Sequence, residues 1–173
     1  LYNETDGHAI PPTPAVGGLG LLPDLHRRAS FSTLKPGDVL LLIGETRGHL
    51  GASLYLREIV GSEDGPPPPV DLAAEKRNGD FIRREIREYG LGCVHDLSDG
   101  GLAAAAAETA LASSVGVKLA YDGEVPLHAF FFGEDQGRYL AAATKDKADA
   151  LLGRARQAGV PCIVIGVAEG DAV

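Results

Sequence analysis

Apolar positions along the 173-residue chain fall into two kinds of run. The first kind is short and unbroken. Val39-Leu40-Leu41-Leu42-Ile43, delivered by the turn Lys35-Pro36-Gly37-Asp38, shows no polar alternation, which predicts a strand buried on both faces and central in its sheet. Cys93-Val94 and residues 115–120, 139–143 and 161–168 read as further strands, the last a buried closing strand centred on Ile163-Val164-Ile165. Residues 16–22, interrupted by Gly17, Gly18 and Gly20, read as a glycine-rich strand. The second kind recurs with helical spacing. Over 70–89, Ile82, Ile86 and Tyr89 share one face, Arg and Glu residues take the other, Asp80 is a candidate N-cap and Gly90 stands where the helix should end. Residues 102–112 are so rich in Ala that their helix should be buried, with Glu108 needing either the solvent edge or a partner. Ala148, Leu151, Leu152 and Ala155 predict a helix over 145–158, and Leu50, Leu54 and Ile59 predict one from His49 onward.

Strands alternating with helices, several of them apolar without alternation, point to a layered α/β domain with helices on the faces of its sheet. Residues 1–14 lack helical periodicity and end in Pro11-Pro12-Thr13-Pro14, so they read as an extended segment leading in from an upstream domain. Residues 15–173 then form a single α/β domain, with 62–69 a proline-rich exposed loop. The chain opens on Leu1, contains no Met and stops directly after a strand-like run, so both ends read as cut.

Composition narrows the function classes. Acidic residues outnumber basic ones 24 to 16, which argues against nucleic acid as a partner. No apolar run has the length of a membrane span and the first residues are not a signal peptide, so a soluble, cytoplasmic protein without a membrane partner is expected. Cys93 and Cys162 lie inside apolar runs without a second ligand at metal spacing, and read as reduced core residues. No Gly-x-Gly-x-x-Gly joins a strand to a helix, which disfavours a dinucleotide site. The loop Gly44-Glu45-Thr46-Arg47-Gly48 follows a strand but lacks the Gly-Lys-Ser/Thr ending of a nucleotide P-loop.

Chemistry concentrates in two stretches. In His95-Asp96-Leu97-Ser98-Asp99-Gly100-Gly101, two carboxylates, a hydroxyl and a glycine pair stand where a strand gives way to a helix. The free N–H groups of a first helical turn attract anions, two glycines admit a phosphate close to the backbone, and carboxylates hold a hard cation such as Mg2+. The plainer reading is that Ser98 or Asp99 caps the helix and the glycines only make the turn, with Asp99 the better cap. In the second stretch, Phe130-Phe131-Phe132 anchors a loop in which Gly133 and Gly137 bracket Glu134, Asp135 and Gln136. This is either a ligand loop or a polar turn between two core segments. Asn3, Glu4, Asp6, His8 and Thr13 offer polar groups on the lead-in segment, as ligand contacts or as solvated side chains.

Four stretches together carry a specific resemblance: Leu1-Tyr2-Asn3-Glu4-Thr5, Pro12-Thr13-Pro14-Ala15-Val16-Gly17, His95-Asp96-Leu97-Ser98-Asp99-Gly100-Gly101-Leu102, and Phe132-Gly133-Glu134-Asp135-Gln136-Gly137-Arg138. In that order they resemble phosphoribosylformylglycinamidine synthase, a ligase of purine biosynthesis, over essentially the whole chain. The matching part is the C-terminal domain of the second of that family's two related modules, the kind shared with aminoimidazole ribonucleotide synthetase. The resemblance implies a three-layer α/β/α sandwich with a mixed sheet. It implies a part in the ATP-dependent conversion of formylglycinamide ribonucleotide and glutamine-derived ammonia to the amidine.

The same resemblance assigns roles. Asp96 would be a Mg2+ ligand, and Ser98, Gly100 and Gly101 would contact a nucleotide, with ATP and Mg2+ as the ligands. Asn3, Glu4, Thr13, Glu134, Asp135 and Gln136 would meet substrate or another domain, although Gly137 stands where the first module has an acid. The family's catalytic histidine and most metal ligands lie in the other module, so no catalytic residue is expected in this chain and the chain alone is expected to be inactive. Expected partners are the remaining domains, and a glutaminase subunit with a small bridging subunit or a fused glutaminase domain. Two alternatives stay open: a domain that is purely structural, and a relative of the thiamine-phosphate kinase, selenophosphate synthetase or hydrogenase-maturation type.

Overall fold

The computed structural model describes residues 4–5, 7–9 and 16–170. Strand β3 (Val39–Ile43) lies in the middle of a five-stranded sheet, as its unbroken apolar run requires. The order across the sheet is β4 (Cys93–Asp96), β6 (Tyr139–Ala143), β3, β7 (Cys162–Ala168), β5 (Val117–Leu119). Ahead of it, β1 (Glu4–Thr5) and β2 (His8–Ala9) form a separate small antiparallel pair.

The layered α/β fold stands, but the sheet is not mixed: all four of its ladders are antiparallel. The registers give the reason. β3, β4 and β5 run one way, as strands joined through crossover helices do, and the later β6 and β7 run the other way and slot between them. Strands that share a direction therefore never share a ladder.

Alternate residues of β3 feed two cores. Leu40 and Leu42, with Leu140 and Ala142, face Leu102, Ala105, Ala106 and Ala110 of α2 (Gly101–Ser113) and Phe130 of α3 (Leu127–Phe132). Leu41 and Ile43, with Ala141 and Ala143, face Phe81 and Ile82 of α1 (Leu72–Tyr89) and Ala148, Leu151 and Ala155 of α4 (Lys145–Gln157). These are the three layers. The alanine-rich α2 is buried as its composition predicts, because small side chains let it lie close on the sheet.

Several local readings change. Residues 16–22 form no strand: Val16, Leu19 and Leu21 are almost wholly exposed, and a run with three glycines has few side chains with which to hold a sheet edge. The helix expected from His49 starts only at residue 54 and continues as the π-helical turn Leu56–Val60, because residues 47–49 give their amides to another loop. The α1 N-cap is Asp71, whose Oδ1 accepts from Ala73 and Ala74 at 3.0 Å, and not Asp80, which sits mid-helix paired with Lys76 and Arg83. Gly90 does close that helix. The solvent face of α1 is not uniformly polar surface either. Glu85 is fully buried, and Arg154 of α4 donates to it from Nε at 2.8 Å and from Nη2 at 2.5 Å. The closing strand is not buried throughout: Ile163 and Val164 are about half exposed, at 48% and 51%.

Candidate functional site

At one end of the sheet β3 and β4 finish and β6 begins, and the loops there come together. The C-terminal end of β4 presents Asp96, the next turn presents Ser98 and Asp99, and the start of β6 presents Tyr139. With Glu75 of α1 and Gln136 they line a cleft of about 270 Å3. Next to it, Glu45, Arg47, Asp71, Arg77 and Asn78 line a second cleft of about 150 Å3 that shares Glu75 and Gln136.

Asp96, Ser98 and Asp99 are exposed, the Asp96 side chain to 78%. The neighbouring His95 points the other way, into the fold. Its ring stacks on Phe31 at 4.5 Å between centroids and its Nε2 lies 2.7 Å from Oε2 of Glu108. Its Nδ1 is buried without a hydrogen-bond partner. Glu108 thus finds the partner that a carboxylate on an alanine-rich helix needs. Tyr139, half-buried and close to Glu75 and Asp96, has its hydroxyl pKa raised, first by burial and then by the two carboxylates, so it stays a neutral donor.

The glycine pair behaves differently from the sequence expectation. Gly100 takes the N-cap position of α2 in the left-handed region, and neither Ser98 nor Asp99 caps the helix with its side chain. The N–H of Gly100 donates instead to Oε1 of Glu134 at 2.9 Å, and that oxygen also accepts from the N–H of Leu54 at 2.9 Å. A side chain on Gly101 (φ +63) would meet the Gly133 carbonyl at 2.4 Å, so glycine is required there by the chain's own backbone.

Asp135 is equally engaged. Its Oδ2 accepts from the N–H of Arg47 at 3.1 Å and of Gly48 at 2.8 Å, and its Oδ1 from that of His49 at 3.3 Å. Beneath it Arg138 is buried, with its guanidinium on the carbonyls of Asp135 (3.0 Å) and Gly133 (2.5 Å) and on Oγ1 of Thr46 (3.1 Å). Burial lowers its pKa against the pull of Asp135. Asn78 ties α1 to the same loop through the Gly137 carbonyl at 2.9 Å. Of the central triplet Gln136 is the exposed residue, Glu134 being half-buried and Asp135 buried.

Of the sequence-predicted site residues, Asp96, Ser98, Glu134 and Gln136 meet at one cleft with Gly100 and Gly101 behind them, and Asp135 faces the adjoining one. Glu4 is exposed on β1, in the two-stranded sheet and not the five-stranded one, and Asn3 and Thr13 lie outside the described residues. Sequence reasoning missed Glu75, Tyr139 and Arg138. Only Arg138, the last residue of the glycine-bracketed loop, carried a signal. Among the described residues no group of three or more His, Cys, Asp or Glu side chains is gathered for a metal ion.

Comparison with known proteins supplies the context. Residues 35–173 match the family described as AIR synthase related protein, C-terminal domain. The chain is 58% identical over 172 residues to the phosphoribosylformylglycinamidine synthase subunit PurL of Caulobacter vibrioides, covering 99% of this chain and 23% of that protein. It is 53% identical over 173 residues to PurL of Methylocella silvestris, covering all of this chain and 24% of the relative. The chain therefore spans about a quarter of the length of these curated relatives. Among solved structures it resembles PurL of Thermotoga maritima complexed with FGAR, with a TM-score of 0.68 and 22% identity over 82% of this chain and 25% of that one. It also resembles the hydrogenase maturation protein HypE of E. coli, with a TM-score of 0.59 and 24% identity over 83% of this chain and 47% of that one. At these identities the structural likenesses speak for the fold.

Proposed function

The chain belongs to the AIR synthase related family as its C-terminal domain, and from that premise we propose that it serves as one domain of a phosphoribosylformylglycinamidine synthase of the PurL type. The observation that carries this reading is identity of 53–58% along the whole chain to PurL subunits of several bacteria. HypE shares the fold at lower identity, which makes the hydrogenase-maturation reading the weaker one.

In the proposed reaction ATP activates the amide oxygen of formylglycinamide ribonucleotide by phosphoryl transfer, and ammonia then displaces phosphate to give the amidine. Such chemistry relies on positioned donors and charge stabilisation more than on a protein nucleophile. ATP as ligand is supported by the ATP-complexed PurL of T. maritima, and partner subunits by the PurLQS structure from the same organism. The cytoplasm is the proposed place of work; among the described residues no helix is long and apolar enough to cross a membrane.

Within that enzyme this domain contributes a wall. Ser98 and Gln136 offer neutral polar groups to the cleft, Tyr139 offers a hydroxyl that stays protonated, and Asp96 offers an exposed carboxylate. Mg2+, when bound, neutralises the charge of a triphosphate. Mg2+ commonly takes one or two carboxylates and completes its octahedral shell with water and phosphate oxygens, so Asp96 would add one ligand to a set completed by the nucleotide, water and other domains; no group of three such side chains is gathered among the described residues.

A purely structural domain is the second reading, favoured by the commitment of Glu134 and Asp135 to backbone amides. Asp96→Ala with Ser98→Ala in a full-length enzyme carrying this domain separates the two. The wall reading predicts a fall of about tenfold or more in amidine formation, or loss of ATP-dependent thermal stabilisation. Unchanged activity and unchanged stabilisation favour the structural reading. The purified 173-residue chain alone is expected to form no amidine from substrate, ATP, Mg2+ and ammonia, and turnover by it would overturn its assignment as a non-catalytic part.

A further inference from the structure

Two segments at the active end of the sheet have the geometry from which backbone amides bind phosphate. One sets the N-cap amide of the thirteen-residue α2, that of Gly100, beside the amide of Leu54, and the other is the loop after β3, where three successive N–H groups, those of Arg47, Gly48 and His49, converge. Both are filled from within the chain. Adjacent residues of one loop supply the anions: Glu134 takes the amides of Gly100 and Leu54, and Asp135 takes the three of the β3 loop.

We propose that Glu134 and Asp135 are resident anions that occupy both amide cradles and exclude phosphate from them, so that they set the specificity of this domain against the charged end of a nucleotide. The backbone that carries the two carboxylates is itself held. The buried guanidinium of Arg138 grips it at Asp135 and Gly133, and Asn78 grips Gly137. The glycines point the same way. The space a side chain would fill at Gly101 is taken by the Gly133 carbonyl, at 2.4 Å, and not by room for a ligand.

The surrounding charge reinforces the exclusion. Asp96, Asp99 and Glu75 line the same cleft as Glu134, while Arg47 is paired with Glu45 at 2.7 Å, Arg57 with Glu58 at 2.8 Å, and Arg77, on the cleft of Asp135, donates to Asn78 at 3.2 Å. The phosphates of any nucleotide bound by the whole enzyme must then be held by groups outside these two turns. This deepens the function proposed above, yet it concerns amides of this chain alone, so its failure leaves the family role standing.

Inorganic phosphate and pyrophosphate, titrated at constant ionic strength into the 15N-labelled 173-residue chain, test it. The amide signals of Arg47, Gly48, His49, Leu54 and Gly100 are expected to show no saturable shift. Saturable shifts at these amides would overturn the proposal. In the second arm, Glu134→Ala bares the Gly100 and Leu54 amides, and Glu134→Gln keeps an acceptor oxygen while removing the charge. Phosphate is expected to raise the Tm of at least one of these variants by about 2–4 °C more than an equal ionic strength of chloride does, and to move the Gly100 amide signal. If both variants respond to phosphate no more than the wild-type chain does, the cradles are not anion sites and the carboxylates are ordinary loop ties.

Discussion

Glu134 and Asp135 stand side by side in the chain, yet each carboxylate ends on a different segment of backbone, and this division decides what the site residues around them can do. The sequence made the glycine-bracketed acids visible but not their direction. Whether a carboxylate faces a ligand or an amide of its own chain depends on where a loop some eighty residues away is placed. The same holds for Gly100 and Gly101. The spacing of a phosphate-binding turn and that of a tightly packed turn are identical, and only the Gly133 carbonyl beside Gly101 tells them apart. Apolar context was a better guide for the cysteines: both are free thiols, Cys93 buried and Cys162 partly so. The Cys162 thiol, ordinarily near 9, is pushed up to about 12, by burial first and the Glu85 carboxylate second. Because the unfolded chain releases this proton at lower pH than the folded one, the stability from the neutral thiol is complete below about pH 9 and lost as pH rises toward 12. Urea melts across that window are expected to show falling stability, less steep in Cys162→Ala. The residual slope belongs to Cys93 and Tyr139, whose pKa values are raised as well.

Among the elements, those whose pattern comes from burial were legible and those set by side-chain partners were not. The unbroken run of β3, the small residues of α2 and the 3.6 spacing of α4 report directly which surface each element loses to the core. The short α3 carries too few turns for a period to show, and its three phenylalanines read only as an anchor for the loop that follows. Helix α1 hid its most consequential residue. Glu85 falls among charged neighbours, but it is wholly buried and clamped by Arg154, whose guanidinium lies 3.9 Å from the centroid of the Tyr89 ring. That pair fixes α1 to α4 across one face of the sheet. Arg154→Ala is expected to cost about 3–5 kcal/mol in urea denaturation, since it strands the fully buried Glu85 carboxylate, whereas Glu85→Leu with Arg154→Met should cost less. Equal losses in the single and double variants would show that the clamp, and not the stranded charge, carries the effect.

At the scale of the whole molecule, two helical layers hold an antiparallel sheet whose one end gathers every polar group that the proposed function uses. A mixed sheet was what the resemblance implied, and local pattern could not correct it, because it says which segments are strands but not which strand slips between two others. The insertion of β6 and β7 on either side of β3 is a long-range choice made by the packing of both cores at once. The chain spans about a quarter of the length of its curated relatives, so the proposed reaction is one for a whole enzyme of that kind, with the cleft proposed as one wall of its site. The most direct test is a replacement: the segment of Caulobacter vibrioides PurL that matches this chain is exchanged for it, and amidine formation from formylglycinamide ribonucleotide, ATP and ammonia is measured. The proposed role predicts activity within about tenfold of the parent enzyme. A chimera that folds and assembles like the parent but forms no amidine would contradict it.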